Sequence, residues 1–225
     1  MIASLFPEDV IVVRATPEME REPLHPAERA WAERLGENRR REFALGRACA
    51  RRALARLGIE GFALLSGENR APRWPPGVVG TLTHCRGFCA AAVARCGALV
   101  GLGLDAEPAR PLSAPLVERI TAEPERARLG ALPAAPAVGW GTVLFTAKES
   151  LYKCYFPITG AFLGFRDAEI DLDPEAARFT ARLCRDEKPS ARGARTFHGR
   201  YHIDEALVIS AVALTAAECS EPPAT

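Results

Sequence analysis

Between residues 100 and 115 the chain sets out an apolar strand and then forbids a helix. In Val100-Gly101-Leu102-Gly103-Leu104-Asp105-Ala106-Glu107, strand alternation puts positions 101, 103, 105 and 107 on one face. That face carries two glycines and then two carboxylates. Pro108, Pro111 and Pro115 follow almost at once. The segment fits G-x-G-x-x-A, the pattern of a dinucleotide-binding turn. Such a site needs a helix to open there, so that its N-terminus meets the pyrophosphate. The prolines remove that helix, and the dinucleotide reading fails. The glycines instead let the strand approach another backbone closely, and they leave room beside Asp105 and Glu107.

A second segment answers the first. Phe145-Thr146-Ala147-Lys148-Glu149-Ser150-Leu151-Tyr152-Lys153 reads as a helix, and neighbours three and four apart share a face. Glu149 then stands over Lys153, and Lys148 over Tyr152. With Asp105 and Glu107 the two segments offer three carboxylates and two lysines. That set can hold one hard cation and a polyphosphate. Each part alone has an ordinary reading: a solvated strand end, or an i,i+4 helix pair worth ~0.2–0.5 kcal/mol.

Around these segments, apolar patterning predicts strands over residues 9–15, 62–65, 78–82, 89–94, 99–104, 168–172, 179–183, 196–203 and 206–214, with a turn at Asp204-Glu205. Helices are expected over 26–35, with Pro26 in the first turn, over 37–57, capped by Gly58, and over 146–155, ending before Pro157. A weak helical stretch interrupted by Pro124 covers 116–129, and residues 108–115 make the best linker. A basic helix followed by an apolar segment occurs twice, at 47–65 and at 148–165, and hints at two similar halves.

Composition narrows the function classes. A net charge of +1 over 225 residues argues against a nucleic-acid protein. No run reaches the ~18 apolar residues of a membrane span, and no signal peptide is seen. Seven cysteines, an odd number in mostly apolar contexts, point to reduced thiols in a cytoplasmic protein. Cys85 and Cys89 lack a second pair at zinc-ligand spacing. Charge is concentrated locally in Arg39, Arg40, Arg41, Arg47, Arg51, Arg52 and Arg56. Most of these belong to a solvated helix face, but Arg39 or Arg40 with Arg47, two turns apart, can reach one phosphate together. His84 follows a strand within Thr81-Leu82-Thr83-His84-Cys85, where threonine hydroxyls suit a phosphate. The whole set points to magnesium-assisted transfer of a phosphate-linked group, with arginine and lysine neutralising charge and a carboxylate taking a proton from an attacking hydroxyl.

These residues, in this order, resemble the 4′-phosphopantetheinyl transferases, in the branch with the surfactin-type enzyme, enterobactin synthetase component D and the mycobacterial-type enzyme. The blocks that carry the resemblance begin at Arg39 and continue through Arg47 and Arg51, then Pro72-Arg73-Trp74-Pro75 and Gly80-Thr81-Leu82-Thr83-His84-Cys85. They end with Gly101 to Glu107 and with Trp140 and Leu144 to Lys153. The resemblance implies an α/β (α+β) fold of two similar halves related by pseudo-two-fold symmetry, with coenzyme A between them. The halves are expected over residues 1–104 and 105–217, with 218–225 as a flexible tail.

It further implies Asp105, Glu107 and Glu149 as the site for Mg²⁺, with Mn²⁺ as an alternative. Arg39 and Arg47 are implied to hold the 3′-phosphate of coenzyme A, and Thr83 and His84 to contact its phosphates. Lys148 and Lys153 are implied to lie near the pyrophosphate, and Arg70 to replace a lysine common in relatives. Glu149, Lys148, Lys153 and His84 form the implied catalytic group. The implied partners are apo acyl or peptidyl carrier proteins of fatty-acid, polyketide, nonribosomal-peptide or siderophore synthesis. Leu112, Leu116 and Ile120 offer them an apolar patch, or belong to the core. A monomer is expected, since two halves already make the cleft. Two other readings compete: a catalytically inactive module binding coenzyme A or a carrier, and a magnesium enzyme acting on another nucleotide.

Overall fold

The computed structural model describes residues 2–67, 70–133, 137–184 and 188–219. Its first part runs β1 (Ile11–Arg14), α1 (Pro26–Ala32), α2 (Glu37–Arg56), β2 (Val78–Cys85), β3 (Phe88–Arg95). Then come β4 (Leu99–Pro108), α3 (Ala114–Ile120), α4 (Glu123–Ala131), α5 (Trp140–Thr159), β5 (Ala168–Asp173), β6 (Arg178–Leu183), β7 (Thr196–Ile203) and β8 (Leu207–Thr215). The strands form two antiparallel sheets, ordered β1-β3-β2 and β4-β8-β7-β6-β5. The fold is mixed α/β, with one 20-residue helix on each sheet: α2 on the first and α5 on the second.

Three cores explain the sequence patterns. Cys89, Ala91 and Val93 of β3 face α2, while Ala90, Ala92 and Ala94 face Leu102, Leu104 and Ala106 of β4 and Ile209 and Ala211 of β8. A strand buried on both faces reads as one apolar run, as Phe88–Arg95 does. On β4 the opposite face meets α5. A Cβ at Gly103 would lie 1.8 Å from the carbonyl oxygen of Ser150, and one at Gly101 would lie 2.7 Å from Ile158. The glycines therefore serve the close approach expected of them, and α5 rests on bare backbone.

The two sheets meet along β2 and β4. No ladder joins these edge strands. Instead the Thr81 hydroxyl accepts from the backbone N–H of Leu104, and the Thr83 hydroxyl from that of Ala106, both at 3.1 Å. Because β4 pairs with β8 along its length, a division between residues 104 and 105 cuts a strand.

A shared device gives the two halves their likeness. Glu28, at the start of α1, is fully buried; it accepts from the backbone of His25 and Leu64 and pairs with Arg51 of α2 at 2.9 Å. Glu125, at the start of α4, is 1% exposed; it accepts from the backbone of Ala122 and Ile170 and pairs with Lys148 of α5 at 2.8 Å. In each half a buried carboxylate ties a short helix, the long helix and the segment after it into one unit.

Several expectations need correction. Residues 62–65 form no strand, because Leu64 has its N–H bound by Glu28 and its C=O by Arg47. Helix α5 begins at Trp140 rather than 146 and passes Pro157, stopping at Gly160 with φ 67°. Pro157 costs one bond near the last turn, where proline's fixed φ still fits a helix. The stretch 116–129 is two helices, and Pro115 and Pro124 lie in their first turns, where a missing N–H costs nothing. Ile120 is fully buried, while Leu112 and Leu116 are half-buried and pack against the same core. Of the expected tail, Glu218 binds the backbone and hydroxyl of Thr215, and residues 220–225 lie outside the described residues. Among the described residues no helix is long and apolar enough to cross a membrane.

Candidate active site

A cleft of about 590 Å³ opens between α2, β2, residues 66 and 70–74, and α5, so both halves contribute walls. Arg39, Arg47, Arg70, Thr83, His84, Glu149 and Lys153 line it. The structure thus brings seven sequence-expected residues into one space.

Asp105 does not line the cleft but lies behind two lining residues, Lys153 and Thr83, and is 5% exposed. Its Oδ1 accepts from Lys153 Nζ at 2.7 Å and from the Thr83 hydroxyl at 3.4 Å, while its buried Oδ2 has no hydrogen-bond partner among the described residues. Lys153 also donates to the carbonyl of Leu104. The Glu149–Lys153 helix pair foreseen from spacing is therefore replaced by Lys153–Asp105 across the two segments. Burial pushes the Asp105 carboxyl up, against the pull of Lys153. Burial and then the Asp105 charge push up both Glu107 and Glu149. Three neighbouring acids share one ammonium, an excess of negative charge that a divalent cation would neutralise. Among the described residues no group of three or more His, Cys, Asp or Glu is gathered closely enough to hold a metal ion. The fit is one of donor chemistry: oxygen ligands, with one buried carboxylate oxygen unpartnered.

Cations gather on the other wall. Arg47 is 5% exposed, donates to Leu64 O at 2.6 Å and Ser66 Oγ at 3.0 Å, and stacks 4.2 Å over the Phe43 ring. Burial lowers it to about 10, so it stays protonated at neutral pH. Among the described residues two of its five N–H donors are used. Arg39 binds Glu42 and touches His84. Burial and Arg39 push His84 down, towards the neutral imidazole. Arg70 stands at φ 63°, in the left-handed region. Of the other early arginines, Arg41 pairs with Glu37 on the surface, Arg52 pairs with Glu22, and Arg40 binds Ala32 O.

Two expectations change. Lys148 is 4% exposed, and its ammonium is spent on Glu125 and the carbonyls of Phe165 and Ala168, so it does not face a pyrophosphate in the main cleft. Thr83 donates to Asp105 and accepts from Ala106, so its one proton is not free for a phosphate. Sequence reasoning gave no role in the cleft to Glu42, Arg34, Trp31 or Tyr152. For Glu42 the signal was present, since it lies three residues from Arg39 on one helix face. Trp74 is held by Gly80, where a Cβ would come 2.6 Å from the indole.

Acids behind Lys153, with arginines and aromatic side chains lining the cleft, suit an enzyme that moves a phosphate-linked group. Comparison with known families agrees. Residues 27–94 match the 4′-phosphopantetheinyl transferase N-terminal domain, and residues 101–208 match the 4′-phosphopantetheinyl transferase superfamily. The chain is 43% identical to the 4′-phosphopantetheinyl transferase Svp of Streptomyces mobaraensis, over 96% of this chain and 90% of that one. It is 36% identical to the 4′-phosphopantetheinyl transferase PptT of Mycobacterium tuberculosis, over 95% and 98%. A weaker match, 32% over 53% of this chain and 50% of the other, is to enterobactin synthase component D of Salmonella typhi. The chain belongs to the 4′-phosphopantetheinyl transferase superfamily and is an enzyme of that class.

Proposed function

We propose that the chain transfers 4′-phosphopantetheine from coenzyme A to a serine of apo acyl or peptidyl carrier proteins in the cytoplasm, with Mg²⁺. The observation that carries this reading is the Asp105 Oδ2, unpartnered among the described residues, on a carboxylate bound by two residues, Lys153 and Thr83, that line an arginine-rich cleft. Asp105, Glu107 and Glu149 would hold the cation, which when bound supplies positive charge against the pyrophosphate. Arg39, Arg47 and Arg70 hold the phosphates of the nucleotide end. Lys153 stabilises negative charge as the bridging oxygen leaves. Glu149, whose carboxyl is pushed up by burial, takes the proton of the serine hydroxyl. The serine oxygen bonds to the β-phosphorus, the bond from that phosphorus to the bridging oxygen breaks, and adenosine 3′,5′-bisphosphate departs.

The test is intact-mass spectrometry of a panel of apo carriers from fatty-acid, polyketide, nonribosomal-peptide and siderophore systems, with coenzyme A and with or without Mg²⁺. A phosphopantetheine mass gain on at least one carrier, lost in EDTA, is expected. No gain on any carrier would sink the proposal, and a gain that survives EDTA would remove the metal from it.

A further inference from the structure

Glu42 has no part in the chemistry above, and its position is unexpected. It lines the arginine end of the cleft, with Arg34, Arg39, Arg47 and Arg70. Its Oε2 accepts from Arg39 Nη1 at 2.9 Å and lies 3.1 Å from His84 Nε2. Arg39 on α2 and His84 on β2 also touch each other. One carboxylate oxygen therefore sits against Arg39 of α2 and His84 of β2 at once, the position a phosphate oxygen would take. The three side chains are 46%, 45% and 34% exposed, so the contacts add little to stability and are easily given up.

We propose that Glu42 is a built-in competitor for the substrate phosphate received by Arg39 and His84. The inference rests on the coenzyme A reading and deepens it, since that phosphate is then the 3′-phosphate. On binding, the Glu42 carboxylate must leave its two partners or remain as a like charge beside the phosphate. Either outcome weakens binding of any ligand with a 3′-phosphate, the departing adenosine 3′,5′-bisphosphate included. Glu42 thus trades affinity for release. The opposite role, ordering Arg39 and His84 for the phosphate, predicts the opposite sign.

The sign can be read by calorimetric titration of the full chain and of Glu42→Gln with adenosine 3′,5′-bisphosphate and with adenosine 5′-monophosphate, at fixed low salt. Removing a charge about 5 Å from a phosphate in a water-like medium should tighten the bisphosphate about three- to tenfold. The monophosphate should stay within about twofold, because screening confines the effect to the near phosphate. Glu42→Ala, also tolerated in a helix, should shift the same way. Unchanged or weaker bisphosphate binding overturns the proposal, as does equal tightening of both ligands. Failure of the unaltered chain to prefer the bisphosphate overturns the coenzyme A reading and this proposal together.

Discussion

Replacing Lys148 by methionine should unfold the protein more readily rather than disable its chemistry. The Lys148–Glu125 pair is 3% and 0% exposed at its side chains. Removing the ammonium leaves Glu125 buried with only the N–H groups of Ala122 and Ile170, and strips a donor from the carbonyls of Phe165 and Ala168. Breaking one partner of a buried pair costs about 3–5 kcal/mol. For a chain of this size each kcal/mol moves Tm by about 2–4 °C, so a fall of about 10 °C is expected. Glu125→Gln combined with Lys148→Met should cost less than the two single changes added together, because the stranded charge is gone. Differential scanning fluorimetry with the carrier-labelling assay at 20 °C measures both effects. A Tm within 2 °C of the parent, together with a collapse of turnover, would falsify the structural role and return Lys148 to the pyrophosphate.

Glu149→Gln should abolish transfer and raise Tm of the metal-free protein by roughly 2–4 °C at neutral pH. The sign follows from the raised carboxyls of Asp105, Glu107 and Glu149: the folded state keeps protons that the unfolded chain has lost, so stability falls as pH rises above the ordinary carboxylate range. The advantage of the variant should close as pH drops well below the ordinary carboxylate range, where both states are protonated; thermal scans in EDTA across pH show it, and a destabilised variant at neutral pH refutes it. Gly103→Ala should cost about 3 kcal/mol by forcing α5 off β4, whereas Gly130→Ala, with open space around its Cβ, should gain about 0.5–1 kcal/mol; urea midpoints compare them. Thr83→Val should lose about 1–2 kcal/mol and lower kcat, since Ala106 N–H and Asp105 each lose a partner, and Thr83→Ser should restore both.

What could be seen in the sequence were the features that depend on local spacing. Helix α2, the strands of both sheets and the glycine face of β4 follow from periodicity, and the same spacing placed Asp105 beside Glu107. Partners far apart in sequence were invisible. Nothing near Lys148 tells that Glu125 claims its ammonium, and nothing near Leu64 tells that Glu28 and Arg47 satisfy its backbone in place of a strand. Lys153 was assigned to Glu149 because helix spacing was the only rule available, but Asp105 lies closer across the fold. The extent of α5 was misjudged for a related reason. Its first turn is fixed by burial of Thr142 and Val143, not by a capping residue at Gly139.

The threonine seam between β2 and β4 has a consequence for the integrity of the whole chain. Both are edge strands, and an unpaired edge is an invitation to aggregate. Here each edge is shielded by the other half, through two hydroxyls instead of a full ladder. Protection against self-association is thus mutual. A chain that lost either half would expose a raw strand on the survivor, and Asp105 would lose the hydroxyl that reaches it from across the seam. The contact that covers both strand edges is also the contact that brings a hydroxyl to the acidic centre.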